Sequence, residues 1–249
     1  MNRLNSRILF ASPHCLVDFA SGAAVTTRDA LQLLARHGFE CRAFCASKLD
    51  GDGQLSAVSC QLSAVRTQRV TISGERSVDM IHGRVDAVSV HVFPTLSTRI
   101  DDWAPDEPQA MLAAFERVLG DFRPDVLLIY GGHPVAQEMM KLAKVRRIPV
   151  VFSLHNFAYD DARLFRNVDH VVVPSEFSRA WYERTLGLKC HVLPYAIDWA
   201  RVESRGLRVE SKNDSGGVDS DAQPSTLNSR RFLTFVNPQE GKRGHSRMA

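Results

Sequence analysis

Three short stretches set residues capable of chemistry at the ends of apolar runs. "YGGHP" (Tyr130–Pro134) places His133 behind Gly131 and Gly132. "SLHN" (Ser153–Asn156) closes a strongly apolar run with His155 and Asn156. "ASPHCLVDFASGAA" carries Ser21 and Gly22 just ahead of a helical pattern. An imidazole titrates near neutral pH and can donate or accept a hydrogen bond, so His133 and His155 suit proton transfer or the grip of a hydroxyl-rich ligand. Asn156 adds an amide donor and acceptor. Glycines at a strand end let a ligand approach the backbone. Gly22 and the N–H groups at the following helix start can cradle a phosphate, because that end has unpaired donors and a positive dipole. Taken alone, Gly22 reads better as a tight turn, and His133 divides evenly between a turn histidine and a functional one. Ser175 in "VPSEFSR" reads first as a helix cap and second as a ligand contact.

Other chemistries lack their signatures. The sequence has no GxGxxG, no Walker loop and no GxSxG elbow. The nine histidines show no HxxxH or CxxC setting, so no metal site is expected. The pairs Asp101-Asp102 and Asp160-Asp161 read as solvated turns. Lys141, Lys144, Arg146 and Arg147 crowd one helix end. They read as a solvated face that complements the helix C-terminus, with peripheral contact to an anionic membrane or acceptor as the second reading.

The elements that must position these residues are short apolar runs alternating with helical patterns, as in a parallel α/β sheet with helices on both faces. Strands are expected at Arg7–Ser12, Phe39–Ser47, Asp125–Tyr130, Ile148–His155, Val168–Ser175 and Lys189–Asp198. Helices are expected near 23–38, with Leu31, Leu34 and Ala35 on one face and Gly38 as the stop. Further helices are expected around Met111–Phe122, Val135–Arg147 and Glu176–Leu186, the last ending at Gly187. Between 50 and 105, "GDGQLS" reads as a turn, and "AVRTQRVTI" and "RVDAVSVHVF" read as strands of an antiparallel edge. In a sheet of this kind ligands bind beyond the carboxyl ends of the strands, which is where all three opening stretches fall.

The 249 residues carry 44% hydrophobic and 24% charged side chains, enough apolar content for a substantial core. A net charge of +3 is too balanced to argue for nucleic acid. Five scattered cysteines argue for a reducing, cytoplasmic setting over a disulfide framework. Cys41 and Cys45 would share one strand face as small buried residues. No stretch reaches the length of a membrane span, and Pro13, His14 and Asp18 interrupt any signal-peptide core. From about Glu203 to Arg230 the chain is rich in Ser, Asp, Gly and Asn, which predicts a flexible linker over 203–230. After it, Phe232–Val236 reads as a new strand.

Four stretches in order resemble GT-B glycosyltransferases of the family-4 kind. "SGAAVTTRDALQLLARHGFECRAFCAS" resembles their glycine loop, helix and second strand. "FRPDVLLIYGG", "RRIPVVFSLHN" and "VDHVVVPSEFSRAWYERTLGLKCHVLPYAIDW" resemble the segments that follow, so the likeness runs over nearly all of residues 7–200. The resemblance implies two facing Rossmann-like domains, the N-terminal one binding acceptor and the C-terminal one binding a nucleotide-sugar donor. It implies a retaining, metal-independent transfer with no cofactor beyond that co-substrate. It places Ser21 and Gly22 near the donor diphosphate and His155 at the donor sugar as the catalytic residue. Gly131, Gly132, His133 and Asn156 fall on the acceptor side, toward a carbohydrate or lipid-linked acceptor. "YAID" departs from the family's "NGiD", with Tyr195 and Ala196 in place of Asn and Gly. "NPQEGKRG" resembles the opening of a donor loop, with Lys242 nearest the diphosphate-binding lysine. The expected layout is therefore a domain over 1–202, the linker, and a truncated start of a donor domain over 231–249. On that layout the chain is expected to be inactive alone or dependent on a separate donor-domain chain. The alternative is a non-catalytic protein that binds a glycan acceptor or docks to such a partner.

Overall fold

In the computed structural model, which describes residues 6–49, 62–73, 76–97 and 99–196, the apolar runs form one nine-stranded sheet. The chain runs β1 (Arg7–His14), α1 (Gly22–Arg36), β2 (Glu40–Lys48), β3 (Ser63–Ser73), β4 (Arg76–Val85), β5 (Val88–Phe93) and α2 (Glu107–Phe122). It continues through β6 (Val126–Ile129), α3 (Pro134–Val145), β7 (Val150–Ser153), β8 (His170–Val173), α4 (Glu176–Leu186) and β9 (Cys190–Val192). The strand order is β3-β4-β5-β2-β1-β6-β7-β8-β9. From β5 to β9 every pairing is parallel, with Phe10 opposite both Ala43 and Leu128. Only β4 runs against its neighbours, so β3 and β4 form the expected antiparallel edge.

The central strands are apolar on both sides because both faces are covered. Alternation along β2 sends Cys41, Ala43 and Cys45 to one face, where they meet Val88, Val90, Val92 and Leu31 of α1. Phe44 and Ala46 point the other way, onto Met111, Phe115 and Leu119 of α2 and Met139 and Met140 of α3. Tyr182 of α4 belongs to this second core. The expectation of helices on both faces therefore holds, with α1 on one side and α2, α3 and α4 on the other.

Local signals set the helix ends. Gly38 takes φ +88 just after α1, and Gly187 takes φ +66 after α4. The Ser175 hydroxyl accepts from the Ser178 N–H at 3.2 Å, as its capping role requires. One expected strand is corrected. "RVDAVSVHVF" divides at Asp86-Ala87 into a hairpin between β4 and β5, pairing Ile81 with Val92 and Val85 with Val88. Asp86 turns the chain at φ +50, a left-handed conformation that a short Asp side chain tolerates well.

Met1–Asp198 forms one compact unit. The expected turn at "GDGQLS", the linker over 203–230, the strand Phe232–Val236 and Lys242 lie outside the described residues, as does Cys60.

Candidate active site

The strand order reverses at β1. Segments leading to β2 and β5 lie on one side of it and β6 to β9 on the other, the kind of reversal at which open α/β sheets bind ligands. The loops after β1 and β6 flank this point. They carry Ser21-Gly22 and Gly131-Gly132-His133. His155 follows β7, two strand spacings or roughly 10 Å from β1. The topology thus brings the three stretches to one edge of the sheet.

Ser21 precedes α1 in extended conformation, and its side chain makes no capping bond. No acidic residue occupies the first turn of α1. The first intrahelical bond is Val25 N–H to Ser21 C=O, so the N–H groups of Gly22, Ala23 and Ala24 precede the helical ladder. A Cβ placed on Gly22 would meet nothing within 4 Å. The space beside this backbone is open.

Gly131 and Gly132 are held by different constraints. Gly131 has φ +102, a conformation that L side chains rarely adopt, and a Cβ there would make ordinary contact with the His14 ring at 3.4 Å. A Cβ on Gly132 would meet the Tyr159 ring at 3.1 Å. The close approach at Gly132 is thus taken by Tyr159. His133 caps α3, its Nδ1 accepting from the Val135 N–H at 3.2 Å. Burial pulls its pKa down, and His14 and Lys48 add to this against the opposing pull of Asp101. Asn156 is exposed. Its Oδ1 accepts from the Ala158 N–H at 3.1 Å, and its backbone carbonyl accepts from the Tyr182 hydroxyl.

His155 is the most distinctive of these groups. Its ring lies edge-on to Tyr130 at 5.3 Å and stacks on Tyr195 at 5.7 Å. Nδ1 is 3.2 Å from the Tyr195 hydroxyl. Nε2 is buried and has no hydrogen-bond partner among the described residues. Burial lowers the pKa to about 4, so the ring is neutral at physiological pH. With Tyr195 donating to Nδ1, the ring proton sits on Nε2 and leaves one unused N–H donor.

Several neighbours of this edge escaped the sequence reading. Lys48, at the end of β2, lies 3.0 Å from His14 Nδ1, and His14 packs against Tyr130 at 5.8 Å. Trp103 packs against His133 at 6.1 Å. A continuous row Lys48, His14, Tyr130, His155, Tyr195 therefore borders the edge. The available signal was position: His14 and Lys48 each close a strand, as His155 nearly does.

Elsewhere, three of the four basic residues near the end of α3 are spent in ion pairs. Lys141 meets Glu138 at 3.2 Å, Lys144 meets Asp169 at 2.5 Å and Arg146 meets Glu116 at 3.1 Å. Among the described residues no group of three or more His, Cys, Asp or Glu side chains converges as a metal site. The described cysteines, Cys15, Cys41, Cys45 and Cys190, are free and buried. No described helix is long and apolar enough to cross a membrane.

A mostly parallel sheet with its strand order reversing at β1 and polar loops gathered there defines a Rossmann-like α/β protein. Comparison carries the assignment one step further. The Glycosyltransferase Family 4 model matches residues 20–201, and the chain belongs to that family. No curated protein matches the sequence. Among solved structures, the catalytic domain of starch synthase IV from Arabidopsis thaliana, bound to ADP and acarbose, is similar at 12% identity and TM-score 0.53. It aligns with 78% of this chain and 52% of its own, so this chain spans about half the length of that domain. A sucrose-phosphate synthase structure from Thermosynechococcus elongatus is 12% identical with TM-score 0.45, over 80% of this chain and 94% of that one. A UDP-GlcNAc 2-epimerase from Methanocaldococcus jannaschii is 12% identical with TM-score 0.42, over 76% and 45%.

Proposed function

We propose that this chain forms the acceptor-side half of a retaining, metal-independent glycosyltransferase that uses a nucleotide-sugar donor. The observation that carries the reading is His155: a neutral imidazole at the crevice edge whose buried Nε2 lacks a partner among the described residues. A buried polar atom left unpaired is costly, and a donor-sugar hydroxyl near the reacting carbon would satisfy it. Gly22 and the start of α1 would face the diphosphate. Their N–H groups would stabilise the negative charge that grows on the leaving group as the glycosidic bond breaks. A carbohydrate or lipid-linked acceptor would enter along Gly131, Gly132, His133 and Asn156. Family membership supports this assignment of roles.

The donor-gripping half would come from a separate chain. The match to about half of the starch synthase domain supports that division. Assay of the purified chain with UDP-, GDP- and ADP-sugars tests it. Weak nucleotide-sugar binding with little turnover is expected. Brisk transfer by this chain alone would overturn the partner dependence, and transfer unaffected by His155→Gln would overturn the role given to His155.

A further inference from the structure

A second polar cleft lies toward the β3 edge of the sheet. It opens between the second half of α2 and residues of β2, β5, β4 and β3, and has a volume of about 290 Å³. That is the lower end of the range for small-ligand sites. His82 on β4 lies three strand spacings from β1, on the order of 15 Å, on the side of the sheet away from β6 and β7. The cleft is therefore separate from the candidate active site.

Its lining is rich in cations and neutral donors. Arg42, Arg69 and Arg117 contribute guanidinium groups, and Asp121 is the one lining carboxylate. Arg42 is three-quarters buried at its side chain, lies 4.2 Å from the Phe122 ring centre, and approaches Glu40 only at 4.0 Å. Arg69 meets Asp79 at 3.2 Å. His82 is 92% buried within the wall, and both its ring nitrogens lack a partner among the described residues. It packs edge-on against His91 at 4.4 Å. Burial, with Arg66 and Arg42 nearby, keeps His82 low; burial, His82 and the same two arginines hold His91 down to about 3. Two neutral imidazoles and three arginines thus line one small space, with Asp121 in the lining and Asp79 and Glu40 beside Arg69 and Arg42.

We propose that this cleft binds a small phosphate-type oxyanion, either free or as a phosphate monoester, between Arg42, Arg69 and Arg117 with the imidazoles behind it. Guanidinium groups match the oxygen spacing of such anions and bind them by paired, charge-assisted bonds. The bound charge would relieve the largely buried Arg42, and the His82 and His91 rings would sense it directly.

Titration of the full chain with inorganic phosphate and, separately, with a hexose monophosphate tests this, followed by the ring resonances of His82, His91 and His155 at constant ionic strength. Saturable shifts at His82 and His91, with His155 unmoved, are expected. Tighter binding of the hexose monophosphate identifies an ester as the ligand, and equal binding identifies the free oxyanion. The exposed double variant R69A/R117A and, separately, Arg42→Gln should each weaken binding at least about tenfold while the melting temperature without ligand confirms folding. No saturable shift, shifts confined to His155, or equal affinity in a folded R69A/R117A chain would overturn the proposal.

Discussion

Tyr195 lies nearly parallel to His155, with ring planes 13° apart and centroids 5.7 Å apart, and its hydroxyl sits 3.2 Å from Nδ1. The pair joins the segment after β9 to the end of β7. It also gives a purpose to the departure at "YAID": an aromatic residue, in place of the expected Asn, covers the histidine and holds one of its nitrogens.

Replacing Tyr195 should therefore move the His155 titration. Tyr195→Ala removes the cover, so the pKa should climb from about 4 toward the ordinary value of roughly 6.5. Tyr195→Phe keeps the ring and the burial, so the pKa should stay near 4 while the preference for the Nε2–H tautomer is lost. Histidine NMR across pH 3 to 8 separates the two. An unchanged low pKa in Tyr195→Ala would show that Tyr130 alone supplies the burial.

His155→Phe should divide stability from binding. The change removes an unpartnered buried nitrogen while keeping an aromatic ring between Tyr130 and Tyr195. Folding stability should hold or rise by about 1 kcal/mol, measured by urea denaturation. Nucleotide-sugar affinity, measured calorimetrically, should fall by about tenfold. A clear loss of stability with unchanged affinity would make His155 a packing residue.

The glycines should also separate by role. Gly131→Ala forces a side chain into φ +102, so it should cost about 1–2 kcal/mol or more. Gly22→Ala meets open space and should leave the melting temperature nearly unchanged. If a diphosphate approaches that backbone, the same change should still weaken donor binding. Equal thermal losses in both variants would refute this separation.

Much of the fold was legible because its signals are local. Apolar runs marked the covered strands, Gly38 and Gly187 marked helix ends, and Ser175 marked a helix start. The same reasoning put His155 at the end of an apolar strand and Gly22 at a helix start. What escaped depends on pairing across long sequence distances. Tyr195 meets His155 across 40 residues, and Lys48 meets His14 across 34. Tyr159 fills the space that makes Gly132 necessary, yet nothing near Gly132 in the chain announces it. The β4–β5 hairpin was hidden for another reason: Asp86-Ala87 lacks the Gly or Asn that usually signals a two-residue turn.

Acid sensitivity should concentrate at Asp169, which ties α3 to the start of β7. Its carboxylate accepts from Lys144 Nζ at 2.5 Å and from the Val150 N–H at 2.8 Å. Burial alone would raise its pKa, but the lysine and the backbone donor outweigh it and hold the group below the usual carboxylate range. A folded-state pKa below the unfolded value of about 3.9 means that the ionised form stabilises the fold. That contribution is complete above the unfolded pKa and disappears as pH falls through the folded one. Asp169→Asn should therefore cost about 1–2 kcal/mol at pH 7, with its deficit against the parent chain shrinking below about pH 4. Urea denaturation of both chains between pH 2.5 and 7 checks this. A deficit constant over that range would mean that Asp169 acts through shape rather than charge.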